Sequence, residues 1–366
     1  MNVWVLLIAL AAVIGAQHWV VTRLGLKGLY YDRRLSRDTA FAGETVELIE
    51  TLRNKRLVFL PWLRVESRVS PYLRFGRQEN LDVAGEKYQY HKSVICLMPF
   101  QQVRRRHQVT LTRRGVYGLG NLALTAGDVT GMSRASEEKQ LPVEITVYPA
   151  LLSEDEMPDL WPMARSQGDL TVPWQYQSDP FLVCGIRPYQ VGDVPRDIHW
   201  SASARTGQMQ VKVHDYTADT RLLVLINGQL RPDQWANLMD YEQPVVEYEI
   251  SLAATLMSHA LRGGAAAGFG ANMPLDDGDA CALIAPFAGV GREEQLLTAL
   301  AHLQIRQSRS FLSCLDEMTL LRDCDVVILS AYDDEALQEK IRQLRGFHRS
   351  VALHLVDAKA VMAHAA

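Results

Sequence analysis

From Arg221 to the C-terminus the chain alternates short, uninterrupted apolar runs with longer amphipathic stretches, and this alternation restricts the fold more than any other feature. "RLLVLIN" has the length of a buried strand, and "AAAGFGAN", "ACALIAPF", "DVVILS" and "SVALHLVD" repeat the pattern. Between them, "VVEYEISLAATLMSHALRGG" reads as an amphipathic helix that stops at glycines, and "REEQLLTALAHLQI" and "DDEALQEKIRQLRGF" read as two more helices. A strand that is apolar on every residue needs cover on both faces. Strands alternating with helices supply it, so a mostly parallel sheet is expected. The region carries no G-x-G-x-x-G, P-loop or G-x-S-x-G segment, so nucleotide binding and hydrolysis lack their usual marks.

Residues 38–148 follow a different rule. "ETVELIETLRN" alternates in part, and "LPWLRVESRVS", "YQYHKSVICLMPF" and "RRRHQVTLTRRGVYGLGNLAL" are further strand candidates punctuated by Gly and Pro. Several short strands at regular spacing suggest a β-sandwich. Residues 150–180, with prolines at 158, 162, 173 and 180, read as a linker or an extended cover. A chain of 366 residues is too long for one ordinary core, so two domains or a domain with attachments are expected. The net charge of -4 hides an asymmetry: residues 1–150 hold 21 Lys and Arg against 13 Asp and Glu, and residues 151–366 hold 17 against 29. A basic half beside an acidic half implies surfaces with different neighbours. Arg104, Arg105, Arg106, Arg113 and Arg114 have two readings, as guards of a sheet edge or as a patch drawn to anionic lipid. No aromatic platform or helix-turn-helix pattern accompanies them, so nucleic acid is not an expected partner.

Val3 to Thr22, "VWVLLIALAAVIGAQHWVVT", is apolar over the roughly 20 residues that cross a bilayer core. Trp4 and Trp19 lie near its ends, at headgroup depth. A cleaved signal peptide is the rival reading, but the basic n-region is missing. Arg23, Lys27, Arg33, Arg34 and Arg37 follow the run, so the positive-inside rule places the bulk of the chain in the cytoplasm behind a single membrane span. The five cysteines, Cys96, Cys184, Cys281, Cys314 and Cys324, are odd in number and form no CxxC pair. That spacing predicts neither a disulfide framework nor a zinc site, and it fits a reducing compartment.

The stretch "YQVGDVPRDIHWSASARTG", residues 189–207, gathers charges around a tryptophan and small residues. Asp193 suits an N-cap, Pro195 a first turn and Gly207 a stop, so a short helix is expected over 194–205, followed by a strand at "MQVKVHDY". A catalytic reading takes Asp193 or Asp197 as orienter, His199 as base and Ser203 as nucleophile, but a serine inside a helix lacks a strained turn and an oxyanion hole. A metal reading uses His199 with Asp193 or Asp197, and one histidine with scattered carboxylates is a weak signal. A structural reading pairs Arg187, Arg196 and Arg205 with Asp193, Asp197 or other carboxylates, as a latch between linker and α/β domain. The latch is preferred, with no catalytic residue and no metal or cofactor assigned.

"RPYQVGDVPRDIHWSASARTGQMQVK", residues 187–212, resembles the signature of the domain-of-unknown-function 58 family, through Arg187, Tyr189, Gly192, Asp193, Arg196, Ile198, Trp200, Ser203, Ala204, Arg205 and Lys212. "DRRLSRDTAFAGETVEL", "LPWLRV", "RRGVYGLGNLALTAGDVTG" and "ITVYPALL" are similar as well. The resemblance implies an α+β multidomain protein with an N-terminal transmembrane helix, a β-sandwich-like domain and a von Willebrand factor A-like, Rossmann-type α/β domain. The expected boundaries are 1–23 for the anchor, 36–150 for the sandwich, 151–220 for linker and signature, and 221–362 for the α/β domain. Family members are often encoded beside MoxR-type AAA+ ATPases. That implies a scaffold at the lipid bilayer, acting with such an ATPase, and with other membrane proteins, in the assembly or maturation of a partner complex. The alternative is a hydrolase or an anionic-ligand-binding protein that uses residues 187–205. A metal-binding von Willebrand A domain has Asp-x-Ser-x-Ser after its first strand. Here that stretch is Asn227, Gly228, Gln229, Leu230 and Arg231, which predicts a metal-free version. Asp276 to Asp279 read as a solvated loop.

Overall fold

The computed structural model describes residues 3–24, 26–76, 81–83, 88–128, 134–153, 156, 178–190, 195–216, 220–234, 238–275, 281–307, 309–318 and 321–365. Gly192, Asp193 and the Asp276–Asp279 loop lie outside this set, as does most of the proline-rich stretch before residue 178. The chain opens with helix α1 (Val3–Leu24). Among the described residues no helix is long and apolar enough to cross a membrane.

A β-rich region follows: β1 (Leu29–Leu35), β2 (Thr39–Phe41), β3 (Thr45–Asn54), β4 (Leu60–Val69), β5 (Leu73–Phe75), β6 (Leu81–Val83), β7 (Gln89–Leu97), β8 (Gln102–Leu111), β9 (Gly115–Gly118), β10 (Asn121–Gly127), β11 (Arg134–Gln140) and β12 (Glu144–Tyr148). They form a sheet of order β1-β3-β8-β5, a sheet of order β11-β10-β4-β7-β6, and a small sheet of order β2-β12-β9. The alternation in "TVELIETLRN" becomes a strict in–out pattern, with Val46, Leu48 and Leu52 buried beside the charged Glu50. β1 begins ahead of residue 36 and pairs with β3 from Leu29↔Asn54 to Leu35↔Leu48.

The next unit is a hairpin of β13 (Ser178–Pro188) and β14 (Gln210–Tyr216) that encloses helix α2 (Trp200–Thr206). Part of the expected linker is therefore strand. α2 also starts later than the sequence suggests. Pro195–Asp197 makes a single 3-10 turn, and Ile198, buried, bridges to Val211 of β14. That pairing pulls the chain out of helical geometry before Trp200. Gly207 ends α2 in the left-handed region at φ 71°, as its position predicts.

The remainder is α/β: β15 (Arg221–Ile226), α3 (Gln243–Arg262), β16 (Ala266–Ala271), β17 (Ala282–Phe287), α4 (Arg292–His302), α5 (Phe311–Met318), β18 (Asp325–Ser330), α6 (Glu335–Leu344), β19 (Ser350–Leu355) and α7 (Ala358–Ala365). The sheet order is β17-β16-β15-β18-β19, parallel except for the edge strand β17. The two faces of "RLLVLI" explain its unbroken apolarity. Leu222, Val224 and Ile226 share a core with α3 and α4, while Leu223 and Leu225 face α5 and α6. One cysteine expectation fails: Cys281, just before β17, forms a disulfide with Cys314 on α5. The pair is 33 residues apart in sequence, so no short-spacing rule reports it.

The two regions share a core. Tyr148, at the end of β12, is buried in the α3–α4 cluster, and Phe41, Leu151 and Leu152 pack against it. The Leu152 amide donates to Thr255 Oγ1 of α3 at 2.9 Å.

Candidate functional site

Ligand sites of open α/β sheets lie beyond the carboxyl ends of the parallel strands. Here that position is filled by neutral side chains. Asn227 follows β15, Asn272 follows β16 and Ser330 ends β18, and all three are fully buried, as is Gln229. Asn227 Nδ2 donates to Ser330 Oγ at 3.0 Å, and its Oδ1 accepts from the Gln229 amide at 3.0 Å. Asn272 Oδ1 accepts from the Gly228 amide at 2.7 Å. Gln229 Oε1 accepts from the Phe311 amide at 2.7 Å, and its Nε2 donates to the Gln234 carbonyl at 3.0 Å. These amides spend their hydrogen bonds on one another and on backbone. They offer no anionic oxygen, so the residues present do not fit a hard divalent cation. Arg231 turns outward to Glu242 at 2.5 Å. Among the described residues no group of three His, Cys, Asp or Glu converges as a metal site.

The signature segment is tied together by its own backbone. His199 caps α2: its Nδ1 accepts from the Ala202 amide at 3.1 Å. That bond requires an unprotonated Nδ1, so Ser201 Oγ, also 3.1 Å away, donates to it. Ser203 Oγ donates to the His199 carbonyl at 3.0 Å and accepts from the Gln210 amide at 2.9 Å, fastening α2 to β14. His199 therefore meets Ser201, and the Ser203 hydroxyl serves the helix-to-strand joint. Arg187 is half-buried and donates to the Pro188 carbonyl at 3.2 Å, and Asp197 is half-buried. The Tyr189 amide donates to the Met209 carbonyl at 2.9 Å. Arg205 is exposed on the last turn of α2. Arg196 lies in the 3-10 turn, its side chain outside the description. Trp200 is 70% exposed, and Ile186, Tyr189 and Met209, elsewhere in the same hairpin unit, are exposed as well.

An arginine junction between the two regions is formed by Arg113 and Arg114. Arg113 and Arg114, in the turn between β8 and β9, both reach Glu247 on α3. Arg113 Nε donates to Glu247 Oε1 at 2.6 Å, and its Nη1 donates to Tyr72 Oη and Gln243 Oε1, each at 2.8 Å. Arg114 is buried. It donates to Glu247 Oε2 and to the Leu300 and Leu303 carbonyls at 2.9 and 2.7 Å. Those carbonyls end α4, where a cation meets the negative pole of the helix. Burial works against the Arg114 charge, and Glu247 offsets it. Gly115, at φ 143°, lets the turn close under Tyr117, whose hydroxyl donates to the Arg113 and Arg114 carbonyls at 2.9 Å. A cleft of about 460 Å³ opens beside this junction, lined by Tyr72, Arg113, Gln243, His302 and Arg306 among others. Neither sequence reading of Arg113 and Arg114 anticipated this role. The available signal was Glu247 itself, an acid on a helix with no basic residue three or four positions away.

Three buried ionisable groups, Glu50, His91 and Glu249, stand apart from these sites. Inside the sandwich, Arg33 and Tyr31 donate to Glu50 Oε1 at 2.5 and 2.7 Å, and His107 Nε2 lies 3.0 Å from Oε2. Burial alone would raise the Glu50 carboxyl, but the His107 bond, Arg33 and Tyr31 hold it well below the usual carboxylate range. His91 stacks on Phe75 with centroids 4.5 Å apart, and burial pushes its imidazole down to about 4. On α3, Glu249 is fully buried with neither carboxyl oxygen bonded, and burial raises its pKa well above the ordinary value.

Residues 185–362 match the family model described as Protein of unknown function DUF58, which supports the family that the signature resembles. No curated protein matches the chain. Among solved structures, the CARDB domain of a Pyrococcus furiosus protein is 12% identical, covering 33% of this chain and 94% of its own, at a TM-score of 0.20. A non-cellulosomal cohesin from Archaeoglobus fulgidus is 10% identical over 32% of this chain and 90% of its own, at 0.21. A cohesin module from a Clostridium perfringens family 33 glycoside hydrolase is 11% identical over 32% of this chain and 96% of its own, also at 0.21. Likeness at these scores carries no inference about ligand or partner. The chain spans 16% of the length of a Listeria innocua beta-glucosidase that also matches.

Proposed function

We propose that the protein is a membrane-anchored adaptor, docking a partner through its signature hairpin and doing no bond-breaking itself. The observation that carries this reading is Trp200, 70% exposed inside the segment that matches the family. A large aromatic side chain left exposed favours a protein partner, and Trp is among the residues most often energetic at such contacts. The chemistry of the neighbours agrees. The Ser203 hydroxyl and His199 Nδ1 are committed to backbone joints, and the carboxyl end of the parallel sheet is closed by neutral amides.

The anchor is α1. Its support is the apolar run of the sequence from Val3 to Thr22, since no described helix meets the length and apolarity of a membrane crossing. Val3, Trp4, Val5, Leu7, Ile8 and Trp19 are exposed, and lipid is the natural cover for such a helix. The von Willebrand A-like reading of the α/β domain rests on its parallel sheet with helices on both faces. The partnership with a MoxR-type AAA+ ATPase rests on the family resemblance. In that partnership the ATPase supplies nucleotide energy, and this chain positions the client.

Crosslinking and pull-down from native membranes, with wild type beside Trp200→Ala and Met209→Ser, tests the reading. An AAA+ ATPase recovered with wild type and lost with the variants is the expected result. Equal recovery with all three would remove the hairpin as the docking surface, and recovery of no AAA+ ATPase would remove the partnership. Cytoplasmic placement of the α/β domain is tested by thiol labelling in intact cells. A disulfide at Cys281–Cys314 fits an oxidising compartment and the positive-inside flank fits the cytoplasm, so labelling of the exposed free thiol of Cys96 only after permeabilisation supports the cytoplasmic orientation, and labelling in intact cells overturns it.

A further inference from the structure

The end of the sandwich from which α1 emerges carries apolar loop tips and a basic groove, and we propose that this end rests on the headgroup layer of an anionic bilayer. The proposal deepens the anchor reading and rests on it. β1 starts, β3 ends, β4 starts, β7 ends and β8 starts at this end, as the pairings Leu29↔Asn54, Leu60↔Leu97 and Arg53↔Gln102 require. The two loops there project large apolar side chains. Leu57 is 80% exposed and Phe59 is exposed on the β3–β4 loop, while Phe100 is 65% exposed and Met98 is exposed on the β7–β8 loop.

These tips are held in place. Asn54 Nδ2 donates to the Val58 carbonyl at 2.6 Å and to the Met98 carbonyl at 3.1 Å, binding the two loops to one hub. The Phe100 amide donates to the Arg56 carbonyl at 3.2 Å. Phe100 itself sits at φ 56°, a region that a bulky aromatic seldom adopts, so the loop holds its ring outward against a local backbone preference. The link from α1 joins the same assembly, because the Lys55 amide donates to the Gly28 carbonyl at 3.3 Å. A helix that inserts in lipid would bring these tips to the surface with it.

The groove beside them has the matching charge. On the outer face of β1, β3 and β8, cross-strand rows place Tyr30 beside Arg53, and Asp32 beside Thr51 and Arg104. Arg34, Arg53, Lys55 and Arg104 line a depression of about 440 Å³, with Asp32 its one acid. Lys55 lies over the Tyr30 ring, 5.2 Å from the centroid, at the end nearest the tips. Apolar tips next to a basic groove match the acyl boundary and the phosphate layer of a bilayer in turn.

The test uses the full chain with phosphatidylcholine vesicles and with vesicles that also contain phosphatidylserine. Flotation after an alkaline wash reads the anchor, and hydrogen exchange reads the loops. The expected result is flotation in both lipids, with amides of 55–59, 98, 100 and 101 exchanging about tenfold slower with phosphatidylserine. The triple charge reversal Arg53→Glu, Lys55→Glu, Arg104→Glu should abolish that lipid difference. Leu57→Ser with Phe100→Ser should abolish loop protection with unchanged circular dichroism. Flotation with loops that exchange as fast with vesicles as without them overturns the proposal and leaves the anchor. Equal protection in both lipids overturns the anionic preference. Loss of flotation with loop protection retained supports the lipid surface and overturns the anchor. Loss of both overturns both.

Discussion

Glu247→Gln is the sharpest perturbation of the junction between the two regions. It keeps the shape of the side chain and removes the charge shared by Arg113 and Arg114. The Arg114 side chain is 4% exposed, and those of Glu247 and Arg113 are each 23% exposed. A fully buried ion pair that loses one partner costs about 3–5 kcal/mol, and an exposed pair about 0–1 kcal/mol. The intermediate burial predicts about 2–3 kcal/mol for Glu247→Gln. Arg114→Met removes the donor to Glu247 and also strands the Leu300 and Leu303 carbonyls at the end of α4, so it should cost at least as much. If the two residues act through each other, the double variant costs less than the sum by about 1 kcal/mol or more. Urea unfolding gives the free energies. Calorimetry adds a second readout, because a weakened junction should split one transition into two, with the lower lying about 5–10 °C below wild type. Additivity within about 0.5 kcal/mol, together with a single transition in every variant, would refute the junction as an energetic unit.

Three further outcomes follow from the buried groups. The His91 imidazole has a folded value of about 4, below its ordinary 6.5, so the folded state binds fewer protons than the unfolded state between those values. Its stabilisation is full above about pH 6.5 and is lost as pH falls towards 4, by up to about 2–3 kcal/mol, while Glu50 adds loss below its ordinary range. Urea titrations across this window should flatten in His91→Phe, and an unchanged slope would sink the assignment. Glu249 has the opposite sign. Its raised folded value means that stability declines as pH rises above the ordinary carboxyl range, so Glu249→Leu should gain about 1–3 kcal/mol at neutral pH and remove that decline. Reducing the Cys281–Cys314 disulfide should lower stability by roughly 3–4 kcal/mol for a loop of 33 residues, read as a drop in the urea midpoint, and Cys314→Ala should make the protein insensitive to reductant.

The elements with strong internal periodicity were legible in the sequence. "RLLVLI", "DVVILS" and α3 are where their patterns place them, because burial on two faces or on one stripe must be written in the residues themselves. α5 and α7, eight residues each, were not anticipated, since so short a stretch carries little more than two turns of period. At the site, the substitution of Asn227 and Gln229 for acidic and hydroxyl ligands was visible beforehand, but their closure through Asn272, Ser330 and Phe311 was not. Those partners come from β16, β18 and α5, and only the sheet order brings them together.

The sequence by itself determined the strongly periodic strands and helices, their apolar faces, and that the first half is basic and the second acidic. It did not determine how those charges meet. Arg113 and Glu247 are 134 residues apart, and Cys281 and Cys314 are 33 apart. Local pattern reports the environment that a residue needs, whereas the identity of its partner depends on how distant elements pack. Tertiary structure therefore decided that the two charged halves clasp each other through Glu247. It also gathered the apolar tips and the basic groove at the end where α1 departs.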